Sequence, residues 1–123
     1  MVSWELWAFN NDTLGNPSST PIVVGSGTIP FDQWTSIVVM IIPDYTGAGQ
    51  IKMWQNGTAV VNWTGKVGYD PSTIPYNGAP VGTPTPNQNF NVYFGPYRAR
   101  QNTKQQTFFD EIKFSDTYAE AVP

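Results

Sequence analysis

The stretch that decides the fold is 49–65, GQIKMWQNGTAVVNWTG. Its centre, Asn56-Gly57, lies between two runs that favour strands, Gln50–Gln55 and Thr58–Trp63. Asn-Gly is typical of a two-residue type I′ turn, because both central residues of that turn need a positive φ. The sequence therefore predicts an antiparallel hairpin, with a small bulge near Asn62 where the alternation of the return strand weakens.

The composition describes one β domain with an uncharged polar surface. The chain has 123 residues, which is enough for a single core. Charged residues make up 12% of it, about half of the usual ~25%. Its surface is therefore built largely from Asn, Gln, Thr, Ser and exposed aromatic side chains. Sugar-binding proteins, virion surface proteins and secreted β domains share this composition, and so do many β-sandwiches of other function.

Charge and missing residue types exclude several functions. A net charge of −3 argues against nucleic acid as a partner, since phosphates need a basic surface. The chain has no Cys and no His, which removes disulfides, thiolate metal sites and His-based catalysis. The longest apolar run, Ile37–Ile42, is too short to span a membrane. We expect no cofactor and no membrane partner, and the Asp spacing does not support a structural Ca²⁺. No signal peptide is visible; we nevertheless expect an extracellular or surface-associated protein.

Alternating segments along the chain predict about seven strands. Val2–Phe9 has two apolar faces, which indicates a strand between two layers. Ile22–Val24 is a short strand that Gly25–Gly27 should end. Trp34 is expected in the core, followed by Ile37–Ile42 as a central strand. The last two predicted strands are 89–94 and 106–114, the second with Asp110 on its apolar face. Turn signals between these strands favour an all-β, jelly-roll-like antiparallel β-sandwich.

The candidate binding residues cluster late in the chain. Arg98, Arg100 and Lys104 lie within seven residues that contain no acid, and Tyr97 adjoins them. Arginine binds carboxylates with two parallel hydrogen bonds, and nearby cations favour the phenolate form of a tyrosine. An anionic ligand fits this group, and a solvated hairpin loop is the alternative. Further candidates are aromatic and amide groups that suit a sugar ring and its hydroxyls: Trp54, Tyr93 and Asn91.

Four motifs in sequence resemble one enzyme family. They are W-T-S-I-V-V at 34–39, G-Q-I-K-M-W-Q-N-G at 49–57, F-G-P-Y-R at 94–98 and F-F-D-E-I-K-F at 108–114. Their order and spacing are similar to the C-terminal half of the heparinase I and glucuronan/alginate lyase-like polysaccharide lyases, which have a concanavalin A-like jelly roll. The resemblance implies one domain over 1–123, with N-terminal strands and a loop at 1–33 and the lyase-like region at 34–119. It also implies a truncated version of that sandwich.

The resemblance implies cleavage of uronate polysaccharides by β-elimination, with Tyr97 as the catalytic base or acid and Arg98 as its neighbour. Three features depart from the family pattern. The N-terminal half, which in the family contributes the Arg and the Gln/His strands of the cleft, is absent. Tyr93 stands where the family has Lys, and no His is present to neutralise the uronate carboxylate. Three hypotheses follow. The chain recognises a polysaccharide, it forms part of a virion or extracellular surface and assembles through an exposed sheet edge, or it is an active lyase.

Overall fold

The computed structural model describes residues 1–73 and 108–122. This part of the chain contains five strands, one 3₁₀ turn and one short helix. The strands are β1 (Val2–Ala8), β2 (Ile22–Ile29), β3 (Ile37–Ile42), β4 (Asp44–Gln55) and β5 (Thr58–Val67). A 3₁₀ turn at Pro71–Thr73 follows β5, and helix α1 covers Tyr118–Ala121.

The five strands form two antiparallel sheets. One sheet has the order β1-β2, and the other has the order β3-β4-β5. Every strand pair within these two sheets is antiparallel. The protein is therefore all-β, and its two sheets form a small antiparallel β-sandwich, as the sequence predicted.

The central hairpin is the one that Asn56-Gly57 predicts. Asn56 has φ 49° and Gly57 has φ 76°, the two positive values that a type I′ turn requires. The ladder pairs Trp54 with Ala59 and Met53 with Val61, so Val60 is the extra residue of a bulge. The expected bulge therefore exists, but it lies two residues before Asn62.

The two sheets meet through the inner side chains of β2, β4 and β5. The buried apolar residues between the sheets are Ala8, Ile51, Met53 and Val61. Val38 is also buried, but it pairs with Trp54 on the opposite face, under the C-terminal segment. Gly25 of β2 lies so close to Val61 of β5 that a Cβ on Gly25 would clash with a Val61 methyl. The approach of the sheets at this point depends on the absence of a side chain.

Strand β2 is longer than the sequence predicted. It was expected to end before Gly25, yet it continues through Gly25 and Gly27 to Ile29. Both glycines lie under side chains that occupy the place of a Cβ. Val61 lies against Gly25, and the indole of Trp4 lies 2.6 Å from a Cβ built on Gly27. Packing onto glycine therefore keeps the strand intact where local propensity favours a break.

Three expectations about burial were wrong within the described residues. β1 was expected between two layers, but Trp7 on its outer face is 47% exposed. β3 was expected in the middle of its sheet, but it lies at the edge of the order β3-β4-β5. Trp34 was expected in the core, but 71% of its surface is exposed. Apolar sequence alone did not distinguish a covered face from an open one.

The segment 108–114 does not form the predicted last strand. It belongs to neither sheet of the described residues, and Glu111 has φ 49°, which is incompatible with an extended strand. Asp110 is exposed rather than on a buried face, and its Oδ1 accepts a hydrogen bond of 2.8 Å from the Glu111 N–H. The predicted strand at 89–94 lies outside the described residues.

Candidate functional site

Trp54 is the predicted site residue that the structure describes. It stands on the outer face of the three-stranded sheet, the face directed away from β1 and β2. The other predicted site residues lie outside the described part of the chain, and their roles remain predictions: Asn91, Tyr93, Tyr97, Arg98, Arg100 and Lys104.

Trp54 forms an aromatic pair with a residue near the C-terminus. Its ring centroid lies 4.5 Å from that of Tyr118, with the two planes inclined at 44°. Tilted aromatic pairs at this separation are favourable. The tyrosine covers part of the indole, so Trp54 is half-buried. This arrangement makes a two-ring platform at the hairpin end of the sheet.

The C-terminal segment carries Tyr118 to the sheet through a local hydrogen-bond network. The Glu120 carboxylate accepts hydrogen bonds from Ser115 Oγ at 2.7 Å and from Thr117 Oγ1 at 3.1 Å. These bonds, that of Ser115 above all, lower the pKa of Glu120 below its ordinary value. A charged Glu120 therefore helps to hold α1 in place.

A cavity of about 80 Å³ lies between the C-terminal segment and the sheet. Its floor includes Val38, Met40 and Trp54, and its polar wall includes Asp116 and Thr117. This volume accommodates a few water molecules. We regard it as a packing gap beside the aromatic pair.

Beyond Trp54 the same face carries a group of polar side chains, which we call the outer polar patch. The cross-strand pairs Lys52–Asn62 and Gln50–Thr64 form most of it. Lys66 continues the same face of β5, because the side chain of Val67, the next residue, lies on the opposite face against Gly49. The patch therefore consists of Gln50, Lys52, Asn62, Thr64 and Lys66.

Sequence reasoning missed the outer polar patch, although one signal for it was present. Lys52 and Trp54 were correctly placed on one face of the hairpin. The position of Asn62 depends on the bulge at Val60, because an unbulged hairpin pairs Lys52 with Val61 instead. If the bulge had been predicted before Val61, the resulting register would have paired Asn62 with Lys52 across the two strands.

Of the four other tryptophans, two pack within the fold and two are exposed. Trp4 and Trp63 pack over Gly27 and Gly65 on inward-facing positions. Trp7 donates a hydrogen bond of 2.9 Å to the Glu5 carboxylate on the exposed side of β1. Trp7 and Trp34 are therefore accessible aromatic surfaces apart from Trp54.

Asn11 connects the loop after β1 to the end of β5. Its Nδ2 donates to Thr73 Oγ1 at 2.8 Å, and its Oδ1 accepts from the Asp70 N–H at 2.6 Å. Tyr69 reinforces the connection by donating to the Ser18 carbonyl at 2.7 Å. Hydrogen bonds from Ser72, the side chain first, lower the pKa of Asp70. These contacts fix two loops and give no sign of a ligand.

The described residues contain no group of three or more His, Cys, Asp or Glu side chains that could hold a metal ion. Within the same ranges, no helix has the length and apolar character needed to cross a membrane.

The fold places the chain among small antiparallel β-sandwich domains. Among known families, the model described as polysaccharide lyase matches residues 3–113, a range that includes β2 to β5 and all of β1 except Val2. The chain therefore belongs to the polysaccharide lyase family, and the predicted resemblance is confirmed. Its function is related to polysaccharides, which are its expected partners. The comparisons with curated proteins and with solved structures gave no match.

Proposed function

We propose that the chain recognises a uronate-containing polysaccharide, with Tyr97, Arg98 and Arg100 at the centre of the binding site. The observation that carries this proposal is the family match over residues 3–113. The local sequence supports it, because residues 97–106 contain two Arg, one Lys and no acid in a chain of net charge −3. Guanidinium groups suit the planar carboxylate of each uronate unit.

The family description favours a second candidate, β-elimination catalysed by Tyr97. In this reaction Tyr97, as phenolate, removes the C5 proton of a uronate, and the electrons form a C4–C5 double bond as the C4–O bond breaks. The departing oxygen takes up the proton that Tyr97 has just received, and the new chain end is a 4,5-unsaturated uronate. Arg98 would neutralise the carboxylate and so stabilise the charge that develops during proton removal. Both candidates use the same ligand and the same residues.

The deciding experiment is incubation of the chain with alginate, glucuronan and heparin while ultraviolet absorbance of the unsaturated uronate is followed. A rise that Tyr97→Phe abolishes supports the lyase. A flat trace, with binding that Arg98→Ala weakens at least fivefold, supports recognition alone. If the chain neither cleaves nor binds any of these polymers, both candidates fail and a structural role in a surface assembly gains weight.

We also propose an extracellular or surface-associated location, since polysaccharides of this class are exposed there. Assembly through an open sheet edge belongs to the structural alternative, and light scattering addresses it directly. A monomer at all concentrations contradicts that alternative.

A further inference from the structure

The three-stranded sheet has a charge distribution opposite to that of the whole chain. The chain carries 9 acidic and 6 basic residues. Yet β3, β4 and β5 contain a single acidic residue, Asp44, at the start of β4. The same strands contain Lys52 and Lys66, and both lie on the outer face. This face is therefore cationic in an otherwise acidic protein.

The polar groups of the outer polar patch are not used by the protein itself within the described residues. Neither lysine ammonium has a hydrogen-bond or ion-pair partner in residues 1–73 and 108–122. The same holds for the side-chain amides of Gln50 and Asn62. Asn62, Thr64 and Lys66 are exposed, whereas Gln50 and Lys52 are half-buried. The patch therefore offers donors and acceptors that solvent or a ligand must satisfy.

The spacing of these groups suits a linear polymer. Lys52 lies beside Asn62, and Lys66 follows four residues later along β5, about 13 Å away at ~3.3 Å per residue. Amide and hydroxyl groups fill the interval between the two cations. Trp54 and Tyr118 close the other end of the row with an aromatic surface.

We infer that the outer polar patch is a binding surface for an acidic polysaccharide, separate in sequence from the cluster at Tyr97. The two lysines contact carboxylates of different sugar units, and Asn62, Gln50 and Thr64 bind hydroxyl groups. The Trp54–Tyr118 pair packs against a sugar ring at the end of the row. This inference rests on the proposed function, because it assigns further contacts to the same class of ligand.

Acidic residues lie near both ends of the patch and limit the length of the row that a polyanion contacts. Asp116 and Glu120 lie in the C-terminal segment, on the β3 side of Trp54. Glu120 is held by Ser115 and Thr117 and is directed into its own network. At the other end, Asp44 pairs with Val67 beside Lys66, and its Oδ1 is occupied by the N–H groups of Thr46, Gly47 and Ala48. The polyanion therefore lies along the row between Trp54 and Lys66, within the span that these carboxylates bound.

Calorimetric titration of the full chain with a polyuronate oligosaccharide tests the inference. The variants are Lys52→Gln, Lys66→Gln and the two together, and Lys113→Gln is the control with the same loss of charge. Lys113 lies outside the patch, and its ammonium donates to the Val122 carbonyl at 3.2 Å. We expect each patch variant to lower affinity at least threefold, the double variant at least tenfold, and the control less than twofold. The double variant should also show a weaker dependence of affinity on salt.

The outcomes separate this inference from the proposed function. If the wild-type chain binds no polyuronate, the proposed function fails and the inference fails with it. If it binds, and the double variant binds as tightly as wild type while Arg98→Ala does not, the proposed function stands and the inference is wrong. Asn62→Ala provides a variant without charge change, and an affinity equal to wild type would contradict the hydroxyl contacts. Circular dichroism and urea midpoints equal to wild type establish that the variants fold.

Discussion

The indole nitrogen of Trp4 donates a hydrogen bond of 3.2 Å to the side-chain oxygen of Gln55, and this contact joins the two sheets of the sandwich. The other end of the same amide donates to the carbonyl of Thr28 at 2.9 Å. Gln55 lies at the end of β4 and thus bonds to both strands of the facing sheet. A polar clamp supplements the small apolar core at this edge.

Replacement of Gln55 by Leu should destabilise the protein. The substitution leaves the part-buried Trp4 N–H without its partner, and an unpaired group of this kind costs about 1–3 kcal/mol. The bond to the Thr28 carbonyl is exposed, and water replaces it. We expect the urea midpoint to fall by a corresponding amount with an unchanged slope. Trp7→Phe is the control, because it removes an exposed hydrogen bond to Glu5 and should change stability by less than ~0.5 kcal/mol. Equal effects of the two substitutions would show that the clamp contributes nothing.

A side chain at Gly25 should push the sheets apart. Gly25→Ala places a Cβ against a methyl of the buried Val61, and overpacking of this kind costs about 1–3 kcal/mol. Val61→Ala alone leaves a cavity and is also destabilising. The two together should cost less than the sum, because the alanine methyl fills part of that cavity. Additive losses in urea unfolding would contradict the close approach of β2 and β5.

The hairpin was predictable because its cause is local. Asn56-Gly57 supplies the two positive φ values, and nothing distant is needed to make the turn. The continuation of β2 through Gly25 and Gly27 was not predictable in that way, since it depends on Val61 and Trp4, residues far away in the sequence. Glycine is expected to end a strand that has nothing packed on it. In this protein, Val61 and Trp4 pack on the two glycines and the strand continues.

The candidate site likewise combines features that local sequence predicts with features that depend on residues far away in the chain. The alternation of β4 placed Lys52 and Trp54 together from sequence alone. The pairing of Lys52 with Asn62 requires the register beyond the bulge at Val60, and a shift by one residue exchanges the two faces of β5. Tyr118 reaches Trp54 from 64 positions further along the chain, a contact that no local pattern encodes. The family resemblance was accessible because its motifs keep their order along the chain.

Substitution at the hairpin should separate the two roles of Asn56. Its backbone adopts φ 49°, and its Oδ1 accepts a hydrogen bond of 2.9 Å from the Ser36 N–H. Asn56→Gly keeps the turn conformation and loses this bond, which we expect to cost about 1 kcal/mol. Asn56→Asp retains both the acceptor and tolerance of positive φ, so its urea midpoint should stay near wild type. A midpoint for Asn56→Gly equal to wild type would show that the bond to Ser36 is not stabilising.

The start of β4 contains a carboxylate that stabilises the fold in its charged form. Asp44 Oδ1 accepts hydrogen bonds from the Thr46 hydroxyl at 2.6 Å and from the N–H groups of Thr46, Gly47 and Ala48. These bonds, the Thr46 hydroxyl first, lower the pKa of Asp44 from its ordinary value of 3.8. A carboxylate accepts hydrogen bonds in all of these directions, whereas the protonated acid loses part of that capacity.

The depressed pKa of Asp44 predicts a specific acid sensitivity. Because the pKa is lower in the folded state, the contribution of Asp44 to stability is complete above pH 3.8 and is lost as pH falls through the folded value. Thr46→Val removes the hydrogen bond that lowers the pKa of Asp44 most. The melting temperature of this variant should therefore fall less than that of wild type between pH 5 and pH 2. Thr20→Val, at an exposed loop position without a carboxylate partner, is the control and should follow wild type. If Thr46→Val and wild type lose the same number of degrees over this range, the Thr46 hydroxyl does not hold the charged form of Asp44. A direct NMR titration of the Asp44 carboxyl carbon then distinguishes an undisturbed pKa from one held low by the three backbone donors.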